Sequence, residues 1–347
     1  MTTWPDLLTR LVKGEDLSGP EVRWAMGQVL AGEASPVHIA AFAVALRAKG
    51  EKAEEISACA EAMLEVATPI TLDREAVDIV GTGADRANTV NVSTMAAVVV
   101  AAAGAKVVKH GSRAASSACG AADVLEAVGL ALDLRPEQQA EVLRDDGVVF
   151  LFAPLYHASL RHAATTRREL GIATTFNFLG PLANPARPHA HAVGVADLRM
   201  AGLMAEVLAA RGGRGLVFHG DDGLDELTTT TTSRVWLVRD GQLTQDEVDP
   251  AGLGLAPATI SDLVGGAPDH NARVMRSVLG GEPGAVRDIV LLNAAAALVS
   301  FHGPDPGRSI NDQLADRLGE AAAAVDSGAA TRLLWQWAEH TQRLRVA

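Results

Sequence analysis

The chain has 347 residues, 48% hydrophobic and 21% charged, enough to bury a sizeable core, and its length alone suggests about two domains. Forty-two acidic against 30 basic residues leave a net charge of −12, which argues against nucleic-acid and anionic-membrane partners, since both select a positive face. Two cysteines, Cys59 and Cys119, cannot build a disulfide framework or a cysteine-based zinc site.

The first residues, Met1 to Asp6, lack the charged and apolar regions of a signal peptide, and the apolar run Met95 to Ala105 falls short of the roughly 20 residues of a membrane span. A cytoplasmic protein is expected. Residues 1–70 read as helices. Ser18-Gly-Pro-Glu21 is a capping box opening a helix to about Ala31, and Ser35-Pro36 opens another that Gly50 stops. A further helix runs from about Ala53 to Ala67. The apolar stripe Ile39, Phe42, Ala43, Leu46 suits either a dimer contact or simple core.

The pattern changes at Val77-Asp78-Ile79-Val80, a short β-branched run followed by a glycine-rich loop and an apolar helix from Ser93 to Ala103. Strands are expected at Ala105–Val108, Val148–Phe152, Ala192–Val195, Leu216–His219 and Val235–Val238, with helices between most of them. That alternation predicts a largely parallel α/β sheet. The five-threonine run Thr228–Thr232 reads as a strand, and the chain after about Asp269 returns to helices.

Three loops could carry chemistry. Gly81-Thr-Gly-Ala-Asp85, straight after a strand, leads to Asn91-Val-Ser-Thr94 at a helix start. Glycines let backbone N–H groups approach an anion, and the helix terminus adds free donors. The Walker and dinucleotide patterns are both absent. Lys109-His-Gly-Ser-Arg113 to Ser117 joins two cations with small hydroxyls, which suits a second phosphate group. Asp221-Asp222-Gly-Leu-Asp225-Glu226 clusters carboxylates with no lysine nearby, a donor set for Mg²⁺. Two anion loops at the carboxyl ends of neighbouring strands reinforce each other, because that edge is where α/β sheets bind ligands.

These runs, with Gly120-Ala-Ala-Asp-Val-Leu-Glu126, Arg167-Arg-Glu-Leu-Gly171, Phe176-Asn-Phe-Leu-Gly-Pro-Leu-Ala-Asn-Pro185 and Gly223-Leu-Asp-Glu226, come in the order found in anthranilate phosphoribosyltransferases. The chain resembles that family over nearly its whole length. The resemblance implies transfer of a phosphoribosyl group from phosphoribosyl pyrophosphate to the amine of anthranilate, the second step of tryptophan biosynthesis. It implies a small all-helical N-terminal domain, residues 1–70 with about 165–185 returning to it, and a larger α/β domain with a mostly parallel sheet, residues 71–164 and 186–347. A homodimer through the helical part is implied as well.

By that resemblance Gly81, Gly83, Ala84, Asp85, Thr89, Asn91, Ser93, Thr94, Lys109, Ser116, Ser117 and Ala121 bind phosphoribosyl pyrophosphate. Gly81, Ser112 and Arg167 bind anthranilate, Arg167 at its carboxylate. Ser93, Asp225 and Glu226 hold one or two Mg²⁺ ions. No general base is assigned: stabilisation of departing pyrophosphate by Mg²⁺ and Lys109 is the main task. His110 reads as a packing residue, as does Cys119. Several positions depart from the family pattern. Ala84 and Arg86 replace glycines, Ala121 replaces a serine, Ala158 a proline, and Ser112 the asparagine that helps bind the acceptor. The acceptor half therefore looks altered. A transferase for another aromatic acceptor, a pyrimidine-nucleoside phosphorylase and a non-catalytic nucleic-acid-binding relative remain the alternatives.

Overall fold

The computed structural model describes residues 2–83, 85–114 and 118–346. Helix α1 (Trp4–Val12) is capped by Thr3, and α2 (Gly19–Leu30) by the expected box, in which Ser18 donates to Glu21 Oε2 through both N (2.8 Å) and Oγ (2.7 Å). Ser35 and Pro36 open α3 (Pro36–Lys49), which stops at Gly50 with φ +89°; α4 (Ala53–Glu65) follows. Their inner faces bury Leu7, Val22, Met26, Phe42, Leu46 and Ile56 together. Ile39, Phe42, Ala43 and Leu46 are all within that core, so the stripe is internal packing and no contact surface.

The rest is β1 (Val77–Gly81), α5 (Val92–Ala102), β2 (Val107–Gly111), α6 (Ala121–Ala127), α7 (Pro136–Asp146), β3 (Val148–Phe152), α8 (Ala153–Tyr156), α9 (Arg161–Leu170), β4 (Ala190–Gly194), α10 (Leu198–Ala210), β5 (Arg214–Gly220), β6 (Ser233–Arg239) and β7 (Gln242–Val248). Four helices close the chain: α11 (Pro268–Leu279), α12 (Ala285–His302), α13 (Ile310–Asp326) and α14 (Ala329–Val346). The sheet runs β3-β2-β1-β4-β5-β6-β7, parallel through β5 and antiparallel beyond it. Chain order reverses between β1 and β4, the switch point at which open α/β sheets leave a crevice.

Two cores cover the two sheet faces. One gathers α5, α11–α14 and the β1–β3 side. The other joins the N-terminal helices to Phe176, Phe178, Leu179 and Leu182, and through α10 to Val193, Val217 and Trp236. Helix α12 has the length and apolar composition to cross a membrane, yet 67% of it is buried against α5 and the sheet, so it serves as a core helix.

Two expectations are corrected. Thr228–Thr232 is a loop: Thr228 and Thr230 donate Oγ1 hydrogen bonds to Asp222, and Thr232 to Asp221, so the hydroxyls fold the chain locally instead of pairing it as a strand. Strand β7 escaped the sequence reading because its side chains are mostly polar, as an antiparallel edge allows. Its signal was Asp240-Gly241, both at positive φ, a two-residue hairpin turn.

Candidate active site

A cavity of about 320 Å³ opens at the carboxyl ends of β1 and β2 and reaches across to α9 and the turn Thr175–Phe178. Among the residues named in advance, Gly81, Gly83, Asp85, Thr89, Asn91, Ser93, Lys109, Ser112, Ala121, Arg167, Asp225 and Glu226 line it. Thr94 does not: it is buried one position deeper in α5, with no hydrogen-bond partner for its hydroxyl. Ala84, Ser116 and Ser117 lie outside the described residues.

The loop after β1 is shaped by one carboxylate. Asp225 Oδ2 accepts a 2.6 Å hydrogen bond from the Gly83 N–H, and Gly83 takes φ +69° to offer it. A Cβ on Gly81 would stand 2.2 Å from the same oxygen, and one on Gly194 only 1.7 Å from the Asp225 carbonyl oxygen. Glycine is therefore required at both strand ends. Thr89 pairs in a β-bridge with Val264, and Asn91 is held from both sides, donating to Cys119 O (3.0 Å) and accepting from Asn271 (2.9 Å).

Charge is concentrated and buried here. Burial, then the nearby Asp85, pushes the Asp225 carboxyl up to about 7. Glu226 is driven well above the usual carboxylate range by burial and by Asp225. The neighbouring cation is Lys109, fully buried, donating to Ile79 O (2.5 Å) and Ser93 Oγ (3.2 Å). Burial lowers its pKa, while Asp78, Glu226 and Asp225 oppose that shift. Ionising both buried carboxyls beside Asp85 would create negative charge that one ammonium does not compensate. With the Ser93 hydroxyl they form a hard-oxygen donor set that fits Mg²⁺. Asp221 and Asp222 take no part, since threonine hydroxyls occupy them.

The other end of the cleft is different. Arg167 comes from α9, lies over the Phe176 ring at 5.6 Å, and among the described residues has neither an ion-pair partner nor a hydrogen-bond acceptor. Burial lowers its pKa. Ser112 and Arg167 also line an adjoining pocket walled by Ala153, Pro154, His157, Ala158, Leu160, Arg161 and Ala164, an apolar floor with two arginines at its sides. His110 lines the cleft, but its Nδ1 donates to Gly180 O (3.3 Å) and its ring meets His157 edge-on. Burial pushes it down to about 3, so it is a neutral packing group and a very weak base.

The chain matches the description "Glycosyl transferase family, a/b domain" over residues 73–331 and "Glycosyl transferase family, helical bundle domain" over residues 5–67. It is 56% identical to the anthranilate phosphoribosyltransferase of Acidothermus cellulolyticus over 343 residues, covering 99% of this chain and 96% of that one. The crystal structure of the Thermus thermophilus anthranilate phosphoribosyltransferase superposes with a TM-score of 0.89 at 40% identity, over 97% of this chain and 99% of that one. The Saccharomyces cerevisiae enzyme, in complex with phosphoribosyl pyrophosphate and Mg, gives 0.87 at 27% identity over 98% of each chain.

The chain belongs to the anthranilate phosphoribosyltransferase family.

Several residues that shape this family member's site were not singled out from the sequence. Asp78 is buried on β1, accepts from the His110 N–H (3.1 Å) and from Asn184 Nδ2 (2.9 Å), and is raised to about 6 by burial. Asn184 also donates to Val108 O (2.9 Å), so it fastens the segment after α9 to both central strands. Asn293 on α12 clamps the Leu227 backbone from both sides, at 3.0 and 2.8 Å, and thereby fixes Glu226 beside it. Asn177 lines the cleft. Asn177 and Asn184 stand in the Phe176–Pro185 run without having been assigned a role, and Gly194 had a local signal as a glycine inside a strand pattern, which marks close backbone approach. Asp78 and Asn293 act through tertiary contacts that no spacing reveals.

Proposed function

We propose that this chain transfers the 5-phosphoribosyl group of phosphoribosyl pyrophosphate to the amine of anthranilate, releasing pyrophosphate, in the second step of tryptophan biosynthesis. The observation that carries it is the pairing in one cleft of a cation-seeking cluster, Asp225, Glu226 and Ser93, with an unpaired arginine, Arg167. Asp225, Glu226 and Ser93 would hold Mg²⁺. When bound, the ion neutralises pyrophosphate charge and so makes it a better leaving group.

The protein's own groups do the rest. The loop after β1 and the start of α5 receive phosphate oxygens, and Lys109 supplies buried positive charge close to the leaving group. The C1–O bond breaks with its electron pair going to pyrophosphate, through an oxocarbenium-like transition state. Arg167 takes the acceptor carboxylate and the slot below Ser112 takes its ring, which aims the amine at C1. The nitrogen lone pair forms the new C–N bond, and the acidified anilinium proton leaves to water. No histidine need act as base, consistent with His110 staying neutral.

We further divide the chain into a helical domain, 1–70 with about 165–185, and an α/β domain, 71–164 with 186–347. We assign it to the cytoplasm as a homodimer through the helical part, where Val12 and Val37 are 81% and 74% exposed. The test is fluorescence-monitored loss of anthranilate on adding phosphoribosyl pyrophosphate and Mg²⁺. Consumption of anthranilate in step with pyrophosphate release is expected. No turnover, together with phosphorolysis of a pyrimidine nucleoside, would overturn the assignment.

A further inference from the structure

The opposite edge of the sheet carries a second concavity. The starts of β4 and β5, the end of α10, helix α4 and residues 181–188 enclose about 180 Å³. A five-residue strand at about 3.3 Å per residue places it on the order of 15 Å from the reaction cleft. Its walls bring three arginines together, Arg74, Arg187 and Arg211, with one carboxylate, Glu61.

Glu61 cannot balance them. Its Oε1 meets Arg211 Nη2 at 2.8 Å and its Oε2 meets Arg187 Nη2 at 3.3 Å, and both oxygens are then engaged. Among the described residues Arg74 has no carboxylate partner; its Nε donates to Arg187 O (2.7 Å), and neither Nη atom has an acceptor among them. The Nε of Arg211 is buried and has no partner, although its Nη1 donates to Leu182 O (2.8 Å) and its Nη2 to Ser57 O (3.3 Å). Guanidinium does not shed its proton, so the cavity retains about two uncompensated positive charges. His191, in the same wall, responds to that field: burial and then Arg211 push it down to about 4, so it adds no further charge at neutral pH. Arg187 is also held at φ +49°, in the left-handed region that a non-glycine residue adopts at a cost.

We propose that this arginine pocket binds a small tetrahedral oxyanion, the phosphate or sulfate class. Planar forks with unused donors match such oxygens, and the volume admits one oxyanion group but no nucleotide. Apart from its two histidines the described lining has no aromatic ring on which a base could stack. The site joins parts of the chain that also share the helical-side core, where Met63 of α4, Leu182 and Leu208 of α10 are buried together. Arg211 already bonds to α4 and to residue 182, and the segment from Thr175 to Asn184 also places Asn177 in the reaction cleft. An anion there would fasten α4, residues 181–188 and the end of α10 to one another.

The test uses the full chain with its reaction cleft filled by phosphoribosyl pyrophosphate and Mg²⁺, titrated with sodium sulfate or phosphate against chloride at constant ionic strength. Sulfate and phosphate should raise Tm saturably, by about 2 °C at ten times Kd, and chloride should not. Amide hydrogen exchange should slow at residues 57–64, 181–188 and 207–213. Arg74→Gln and Arg187→Gln, both at exposed positions, should each weaken binding about tenfold or more, and Arg74→Lys should recover part of it. Glu61→Gln, which removes the competing carboxylate, should tighten it. Ribose 5-phosphate separates two sources of the same chemistry: tighter binding than inorganic phosphate through the same arginines marks a phosphate monoester, and equal binding marks the free ion. No saturable response in the unaltered protein, or an equal response in both glutamine variants, would overturn the proposal.

Discussion

The two ends of the reaction cleft are built on opposite principles. At the end nearest Asp225, main chain from β1, β4 and the loop after β5 is locked around one carboxylate, so tightly that Gly81 and Gly194 leave no room for a methyl group. At the other end, side chains from α9 and the loop after β2 face a slot with few hydrogen bonds among them, and among the described residues Arg167 has the Phe176 ring beside it and no ion-pair partner. The first end is a preorganised electrostatic device whose buried charges oppose folding. The second is a looser receptor whose chemistry a single side chain can retune. Substitutions at the first should remove catalysis, and those at the second should alter affinity.

The largest expected effect tests that division at the first end. Asp225→Asn with Glu226→Gln should lower kcat/KM by about 10²- to 10³-fold, as removal of transition-state charge stabilisation does elsewhere. The same pair should raise the Tm of the metal-free protein at neutral pH. The folded Asp225 carboxyl sits near 7 against about 3.9 in an unfolded chain, so between those values the folded state binds more protons. This site's contribution to stability is thus present below about pH 4 and lost as pH rises to about 7. Mg²⁺ should restore it, with a gain in Tm larger at pH 8 than at pH 5. A double variant that loses activity yet keeps the parent's Mg²⁺ response in a thermal melt would break this account.

A smaller effect should come from Arg167→Ala. Loss of a charge-assisted contact to a carboxylate should raise KM for anthranilate about 10- to 100-fold, with KM for phosphoribosyl pyrophosphate nearly unchanged. Steady-state kinetics varying each substrate in turn decide it, and equal changes in both constants would erase the distinction between the two ends. The smallest effect is expected for Ser112→Asn, which restores the longer amide of the family pattern. It should lower KM for anthranilate about two- to fivefold. Identical Michaelis constants would show that Ser112 does not set acceptor affinity.

The first end was far more legible than the second. Gly81, Gly83, Asn91, Ser93 and Lys109 stand just after strands whose short apolar runs are plain, and such positions fall at one sheet edge whatever the rest of the fold does. Arg167 was reached only through the family resemblance, because nothing around it in sequence distinguishes it from Arg161 or Arg168. Thr94 shows the limit of reading a motif as a block. It follows Ser93 by one residue, and on a helix that step of about 100° carries a side chain from the cleft into the core. The threonine run misled for a related reason: β-propensity was read from the residue type, whereas the hydroxyls found Asp221 and Asp222 next to them.

By itself the sequence determined what depends on neighbours along the chain: helix caps at Ser18 and Ser35, the short buried strands, the two glycine- and lysine-bearing loops, and an overall negative charge. Only the tertiary structure decided which charges face one another. Asp225 closes on Gly83 across 142 positions, Asn184 on Asp78 across 106, and Arg211 on Ser57 across 154. The physical reason is that burial and Coulomb interaction depend on distance in space. Of one carboxylate run, folding buries Asp225 and Glu226 in the cleft and leaves Asp221 and Asp222 to the threonine hydroxyls. Scattered arginines that look like ordinary surface charge converge, at the far edge of the sheet, on one cavity.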